Sequence, residues 1–139
     1  MTGRRPSSPM SRRIVLKGAV AGAAVLGFPL PLRAQARVIK IGAVHPVTGP
    51  LAEPGQACRL GATMAVEAVN AAGGIKSMGG AKLELIVGDT QTKPDVGRTE
   101  AERVINQGAQ ILMGSFGSGS TAAMVPVAQQ GPVAFLVDI

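Results

Sequence analysis

Between residues 38 and 137 the sequence alternates short β-rich apolar runs with longer stretches at helical spacing, and few folds accept that alternation. The apolar runs cover 38–44, 82–87, 110–114 and 133–137. In the first, Ile39, Ile41 and Ala43 alternate as one face of a strand requires. Between the runs, the spacing predicts helices over 56–72, 94–107 and 121–130. Leu60, Met64, Ala68 and Ala71 recur at helical spacing in the first of these, with Ala57, Gly61 and Ala65 beside them. Such small residues suit close packing on a sheet. Gly73-Gly74 supplies the C-cap, and residues 76–81 read as a surface turn. Pro94 fits the first turn of the second helix, with Val96, Val104 and Ile105 inward and Glu100, Glu102 and Arg103 on a solvated face. Pro126 is expected to kink or shorten the third helix. The order βαβαβαβ, with right-handed crossovers, predicts an α/β fold built on a doubly wound parallel sheet.

In such sheets ligands bind beyond the carboxyl ends of the strands. That rule puts residues 44–55, 89–92, 115–121 and Asp138 on one rim. The most informative part of it is Gly114-Ser115-Phe116-Gly117-Ser118-Gly119-Ser120-Thr121-Ala122, which joins the third strand to the third helix. A helix N-terminus offers free N–H groups and the positive end of the helix dipole. Glycines let a ligand approach the backbone, and Ser118, Ser120 and Thr121 add hydroxyls. A carboxylate or a phosphate suits this chemistry. An equally simple account has Ser118 or Ser120 capping the helix. Gly117-x-Gly119-x-x-Ala122, with Asp138 ending the next strand about 20 residues on, also fits a dinucleotide fingerprint, although that motif normally follows the first strand of its fold.

Charge divides the chain. Residues 1–36 carry six basic residues and no acid, while 37–139 carry eight of each sign, so the net charge of +6 lies in the leader. The remainder has neither a basic run nor an aromatic platform, which argues against a nucleic-acid surface. One cysteine, Cys58, excludes an intrachain disulfide and a Cys-rich metal site, and reads as a small buried apolar group. His45, the one histidine, lacks a second ligand at metal spacing and reads as a loop residue at the rim. Asp89, at a strand end, reads as a turn former. No Ser/His/acid set is at hand, so no catalytic residue, metal or cofactor is assigned.

The leader contains Ser11-Arg12-Arg13-Ile14-Val15-Leu16-Lys17, a weakly apolar Gly/Ala-rich stretch over 18–32, and the small-x-small site Ala34-Gln35-Ala36. The apolar stretch is about 15 residues, contains Pro29 and Pro31, and falls short of the roughly 20 that a spanning helix needs. It resembles a twin-arginine (Tat) signal peptide. The resemblance implies export by the Tat translocase, cleavage after Ala36 and a mature chain of 37–139.

Ile39-Lys40-Ile41-Gly42-Ala43-Val44, followed by Thr48-Gly49-Pro50-Leu51-Ala52, resembles the opening of type I periplasmic substrate-binding proteins. More narrowly, it is similar to the leucine/branched-chain amino-acid-binding family that feeds ABC importers. Val69-Asn70-Ala71-Ala72-Gly73-Gly74-Ile75 is similar to that family's Asn-x-x-Gly-Gly-Ile signature, and residues 114–123 to its ligand loop. The likeness covers nearly all of 38–139. It implies two α/β lobes that close on a small ligand, of which this chain supplies an incomplete first lobe. It further implies a soluble periplasmic receptor without enzymatic activity, an ABC permease as partner, and an amino acid or similar carboxylate as ligand. Ser118 matches the serine that binds the ligand's carboxylate, with the N–H groups of Gly119, Ser120 and Thr121 assisting. Pro54, Gly117 and Gly131-Pro132-Val133-Ala134 depart from common family patterns. Branched-chain amino acids are therefore the default ligand and not the only one. Two alternatives stay open: an exported dinucleotide-binding oxidoreductase, and a truncated remnant that binds nothing.

Overall fold

The computed structural model describes residues 37–138. The twin-arginine leader and its expected cleavage site lie outside these residues. Four strands, β1 (Val38–His45), β2 (Lys82–Asp89), β3 (Ile111–Ser115) and β4 (Ala134–Asp138), pair in parallel in the order β2-β1-β3-β4. Three helices connect them: α1 (Ala52–Ala71), α2 (Pro94–Asn106) and α3 (Ser118–Gln130). A 3-10 turn over Lys76–Met78 precedes β2. This is the doubly wound sheet that the alternation predicts. Right-handed crossovers send α1 to one face and α2 and α3 to the other.

The core lies between the sheet and the α2–α3 pair. Val44 of β1 and Leu112 of β3 are both fully buried there, against Ala101, Val104, Met124 and Val127. On the opposite face α1 packs over β1 and β2. Among the described residues no helix covers the β3–β4 half of that face, and Leu136 of β4 is 59% exposed there.

Helix α1 begins a turn earlier than expected, with Pro54 and Gly55 inside it. Proline is tolerated there because the N–H groups of the first turn have no intrahelical acceptor to lose. The face of α1 also differs from the expectation. Leu60 and Met64 are 61% and 60% exposed, while Gly55 and Ala62 are buried. Small and apolar residues surround this helix on nearly every side, so periodicity finds the helix without choosing its inner face.

The C-terminus of α1 explains the Asn-x-x-Gly-Gly-Ile pattern. Gly74 N–H donates to Val69 O at 2.8 Å and Gly73 N–H to Asn70 O at 3.2 Å, a Schellman closure. Both glycines have positive φ, 99° and 83°. The Asn70 side chain meanwhile pairs like a strand with β2, donating to Leu83 O at 2.8 Å and accepting from Leu83 N–H at 2.9 Å.

Two other expectations shift. Helix α3 runs through Pro126 to Gln130. Pro126 and Ala122 are both exposed, so water can take the carbonyl that proline leaves unpartnered. Arg103 and Glu100 are only partly solvated: Arg103 donates to Glu100 and, at 2.7 Å, to Val87 O, which fastens α2 to β2.

Candidate functional site

All four strands end at one edge. His45 of β1 is level with Asp89 of β2, and Ser115 of β3 with Asp138 of β4. The loops that leave this edge are tied to each other.

Asp89 ties the first two. Its carboxylate accepts from the Val47, Thr48 and Gln91 N–H groups at 3.0, 3.3 and 2.8 Å and from the Thr48 hydroxyl at 2.6 Å. Gln91 and Thr92 then take left-handed φ values of 51° and 61°. That turn brings the Thr92 hydroxyl to within 3.2 Å of the Leu51 N–H, which donates to it. The strand-end aspartate is thus a turn former, as its position suggested, and it also clamps a second loop.

Burial acts to raise the Asp89 pKa, but the hydrogen bonds from Thr48, Gln91 and Val47 together outweigh it and hold the carboxyl below its ordinary range. A lowered folded pKa contributes stability that is present above the unfolded value and lost as pH falls through the folded one. Asp89→Asn is therefore expected to cost about 1–2 kcal/mol near neutral pH. The gap from wild type should narrow at acidic pH, as the pH falls through the lowered folded pKa and the wild-type carboxyl takes up its proton. Urea unfolding at neutral and at acidic pH checks this; an unchanged gap would mean that the charge on Asp89 is immaterial.

The turn from β3 into α3 is cross-braced from within. Ser115 is fully buried, and its hydroxyl lies 3.3 Å from that of Thr121. The Thr121 hydroxyl donates to Gly117 O at 3.1 Å, and Gly117 N–H donates to Ser115 O at 2.7 Å. Phe116 takes a left-handed φ of 61°, and its N–H donates to Asp138 O at 2.9 Å.

Helix α3 starts at Ser118, three residues before the expected point, with Gly117 as N-cap and no side-chain capping bond. Neither Ser118 nor Ser120 is a cap; both lie inside the first turn. Of the four residues singled out from sequence, Ser118 and Gly119 are exposed. Ser120 and Thr121 turn inward, at 4% and 9% exposure. The Thr121 N–H is already bonded to Gly117 O at 2.9 Å. Helix geometry leaves the N–H groups of Ser118, Gly119 and Ser120 without intrahelical acceptors. No acidic side chain stands in this first turn to neutralise the dipole. In chemical terms such an open first turn suits an anion with oxygen atoms spaced to take two or three N–H groups and a hydroxyl.

His45 is not the loop residue that sequence suggested. It ends β1 and is fully buried, with Nε2 donating to Asp138 Oδ2 at 2.8 Å. Asp138 is thereby committed within the rim, and no dinucleotide ribose is needed to account for it. Burial first, and then the Asp138 carboxylate nearby, push the Cys58 thiol pKa up, which makes it a poor nucleophile. Among the described residues no group of His, Cys, Asp and Glu side chains has the arrangement of a metal site, and no helix is long and apolar enough to cross a membrane. Sequence reasoning missed the His45–Asp138 pair because its members are 93 residues apart.

Comparison with known proteins places the rim in context. Residues 38–137 match the periplasmic binding protein family. The chain is 40% identical over 101 residues to the Leucine-, isoleucine-, valine-, threonine-, and alanine-binding protein of Pseudomonas aeruginosa, covering 73% of this chain and 26% of that protein. It is 35% identical over 105 residues to the Leu/Ile/Val-binding protein of Escherichia coli K12, covering 76% and 27%. Among solved structures, the branched-chain amino acid transporter substrate binding protein LivJ from Streptococcus pneumoniae, in complex with isoleucine, superposes with a TM-score of 0.68 at 31% identity, over 73% of this chain and 28% of that one. A solute binding protein of an ABC transporter from Rhodopseudomonas palustris, in complex with 3,4-dihydroxy benzoic acid, gives 0.59 at 25% identity, over 72% and 26%. The chain thus spans about a quarter of the length of the curated relatives it matches.

Proposed function

This chain belongs to the periplasmic binding protein family, and on that premise we propose that it is the ligand-recognising part of a receptor that delivers amino acids to an ABC importer. The relatives are binding proteins, and the rim offers hydrogen-bond donors without a nucleophile–base pair, so the proposed role is capture without catalysis. The leader's twin-arginine pattern supports export through the Tat translocase to the periplasm, cleavage after Ala36, and handover to a permease in the inner membrane.

The observation that carries this reading is the open first turn of α3, where the exposed Ser118 and Gly119 stand at the carboxyl edge of the sheet. The ligands of the two solved relatives, isoleucine and 3,4-dihydroxy benzoic acid, share a carboxylate. Such a group would accept from the Ser118 hydroxyl and from the N–H groups of Ser118, Gly119 and Ser120. Branched-chain amino acids are the first ligands to test. Tight capture needs contacts made only when a second lobe closes, because binding favours the closed state only through its extra contacts there. Residues 37–139 alone are therefore expected to bind leucine weakly, with no affinity measurable by calorimetry, and micromolar affinity in such a titration would overturn the two-lobe reading.

A chimera tests the site itself. Residues 38–137 would replace the matching quarter of the Pseudomonas aeruginosa relative. Leucine binding is expected to survive the exchange, and Ser118→Ala to weaken it by about 1–3 kcal/mol through loss of a charge-assisted hydrogen bond. Equal affinity for the serine and alanine chimeras would remove Ser118 from the site.

A further inference from the structure

The ligand reading leaves one buried group without a task. His45 is fully buried at the end of the central strand, and a histidine seldom occupies such a place without a reason in its hydrogen bonds. Its backbone carbonyl accepts from Val47 N–H at 3.0 Å and from Thr90 N–H at 3.1 Å, so it already joins the β1–α1 and β2–α2 loops. Its side chain goes the other way. Strands β1 and β4 are not neighbours, because β3 lies between them. The imidazole therefore reaches past the end of β3 to meet Asp138. A carboxylate can only accept, so Nε2 carries the hydrogen of this bond.

The second oxygen of the same carboxylate turns to the ligand loop. Asp138 Oδ1 lies 3.3 Å from the Phe116 N–H, which also donates to the Asp138 carbonyl at 2.9 Å. Phe116 is the left-handed residue of the turn, two places before Ser118. A single carboxylate thus sits between the ring of β1 and the turn that launches α3. The other ring nitrogen, Nδ1, is buried and has no partner among the described residues. The side chain is consequently held at Nε2 alone, and loss of Asp138 would leave both nitrogens unmatched.

We propose that His45 and Asp138 are a positioning pair: they hold the turn over residues 115–118 so that the open first turn of α3 keeps its aim at the ligand. What the turn is held for rests on the ligand reading above; that it is held by this pair does not. Neither residue touches the ligand in this account. Their effect passes through Phe116 and the backbone of the turn.

Amide hydrogen exchange followed by NMR on the 139-residue chain tests the pair without any ligand. Asp138→Ala is expected to speed exchange at Phe116, Gly117 and Thr121 by about tenfold or more, while the amides of β1, β2 and the last two turns of α3 keep wild-type rates. Asp138→Asn keeps an acceptor for Phe116 and is expected to restore most of the protection at the turn. His45→Gln, which can still donate to Asp138 and leaves a smaller void than alanine, is expected to fall between the two. Wild-type exchange at the turn in Asp138→Ala would overturn the proposal. So would a rise spread evenly over the whole domain, because the pair would then add stability without positioning anything. A second reading separates the two levels. Millimolar leucine is expected to shift the Ser118 and Gly119 amide resonances of the wild-type chain and to shift them less in Asp138→Ala. If leucine shifts nothing in the wild type, the ligand reading fails, and the exchange pattern still decides the pair.

Discussion

Gly114→Ala is expected to destabilise the domain by roughly 2–5 kcal/mol, a large effect for one methyl group. Gly114 has a φ of 134°, a conformation that L side chains rarely adopt. A Cβ added there would also fall inside van der Waals contact with the backbone carbonyl oxygen of Val44. Neither side can give way cheaply. Val44 is fully buried in the core, and it stands directly opposite Gly114 in the β1–β3 register. The substitution must either part the two central strands or rotate the turn that carries Ser115 and Phe116, and both routes disturb the rim. Urea unfolding measures the loss, and a value under about 1 kcal/mol would show that the turn relaxes around the methyl group. Gly61→Ala is the matched control. A Cβ at Gly61 meets nothing within 4 Å. That variant is expected to gain about 0.5–1 kcal/mol from helix propensity alone.

Leu112→Ala is expected to cost about 2–5 kcal/mol, which approaches the whole stability of a small domain. Leu112 is the largest fully buried side chain described, and it packs in the cluster with Val44, Val104 and Met124. Both helices on that face rest on this cluster, so the cavity cannot close without moving one of them. Leu60→Ala, on the exposed side of α1, is expected to change stability by no more than about 0.5 kcal/mol. The contrast tests the assignment of inner faces, because helical spacing alone marks Leu60 as inward. Comparable losses at the two positions, read from the same unfolding curves, would show that α1 is packed the other way round.

How much of this was legible beforehand differs by kind of feature. Strands β1 to β4 were readable because short β-rich runs bounded by Gly, Pro and Asp leave few alternatives. The end of α1 was readable because Gly73-Gly74 is a local signal whose chemistry needs no distant partner. The start of α3 lies three residues before the point that helical spacing marks, since a glycine N-cap gives no side-chain signal. That shift mattered: it moved Ser118 from a loop into the first turn of a helix, and it gave the Thr121 N–H a partner within the turn. Ser118 and Gly119 stand open at the rim, whereas Thr121 braces the turn from behind, and only the path of the backbone distinguishes them.

Local sequence suffices for the parallel α/β order and for the rim at the carboxyl ends of the strands, and it points to one turn as the place to test for a ligand. Each of these follows from local propensity, or from rules of connection that hold for any chain of this pattern. Only the folded chain shows which side of α1 is buried, what Asp89 clamps and which group His45 meets. The reason is physical. Amphipathic spacing is blind on a helix apolar nearly all round, and hydrogen bonds such as that from His45 to Asp138 join atoms 93 residues apart. No local pattern encodes such a partner; it exists only once the sheet has put β1 and β4 on either side of β3.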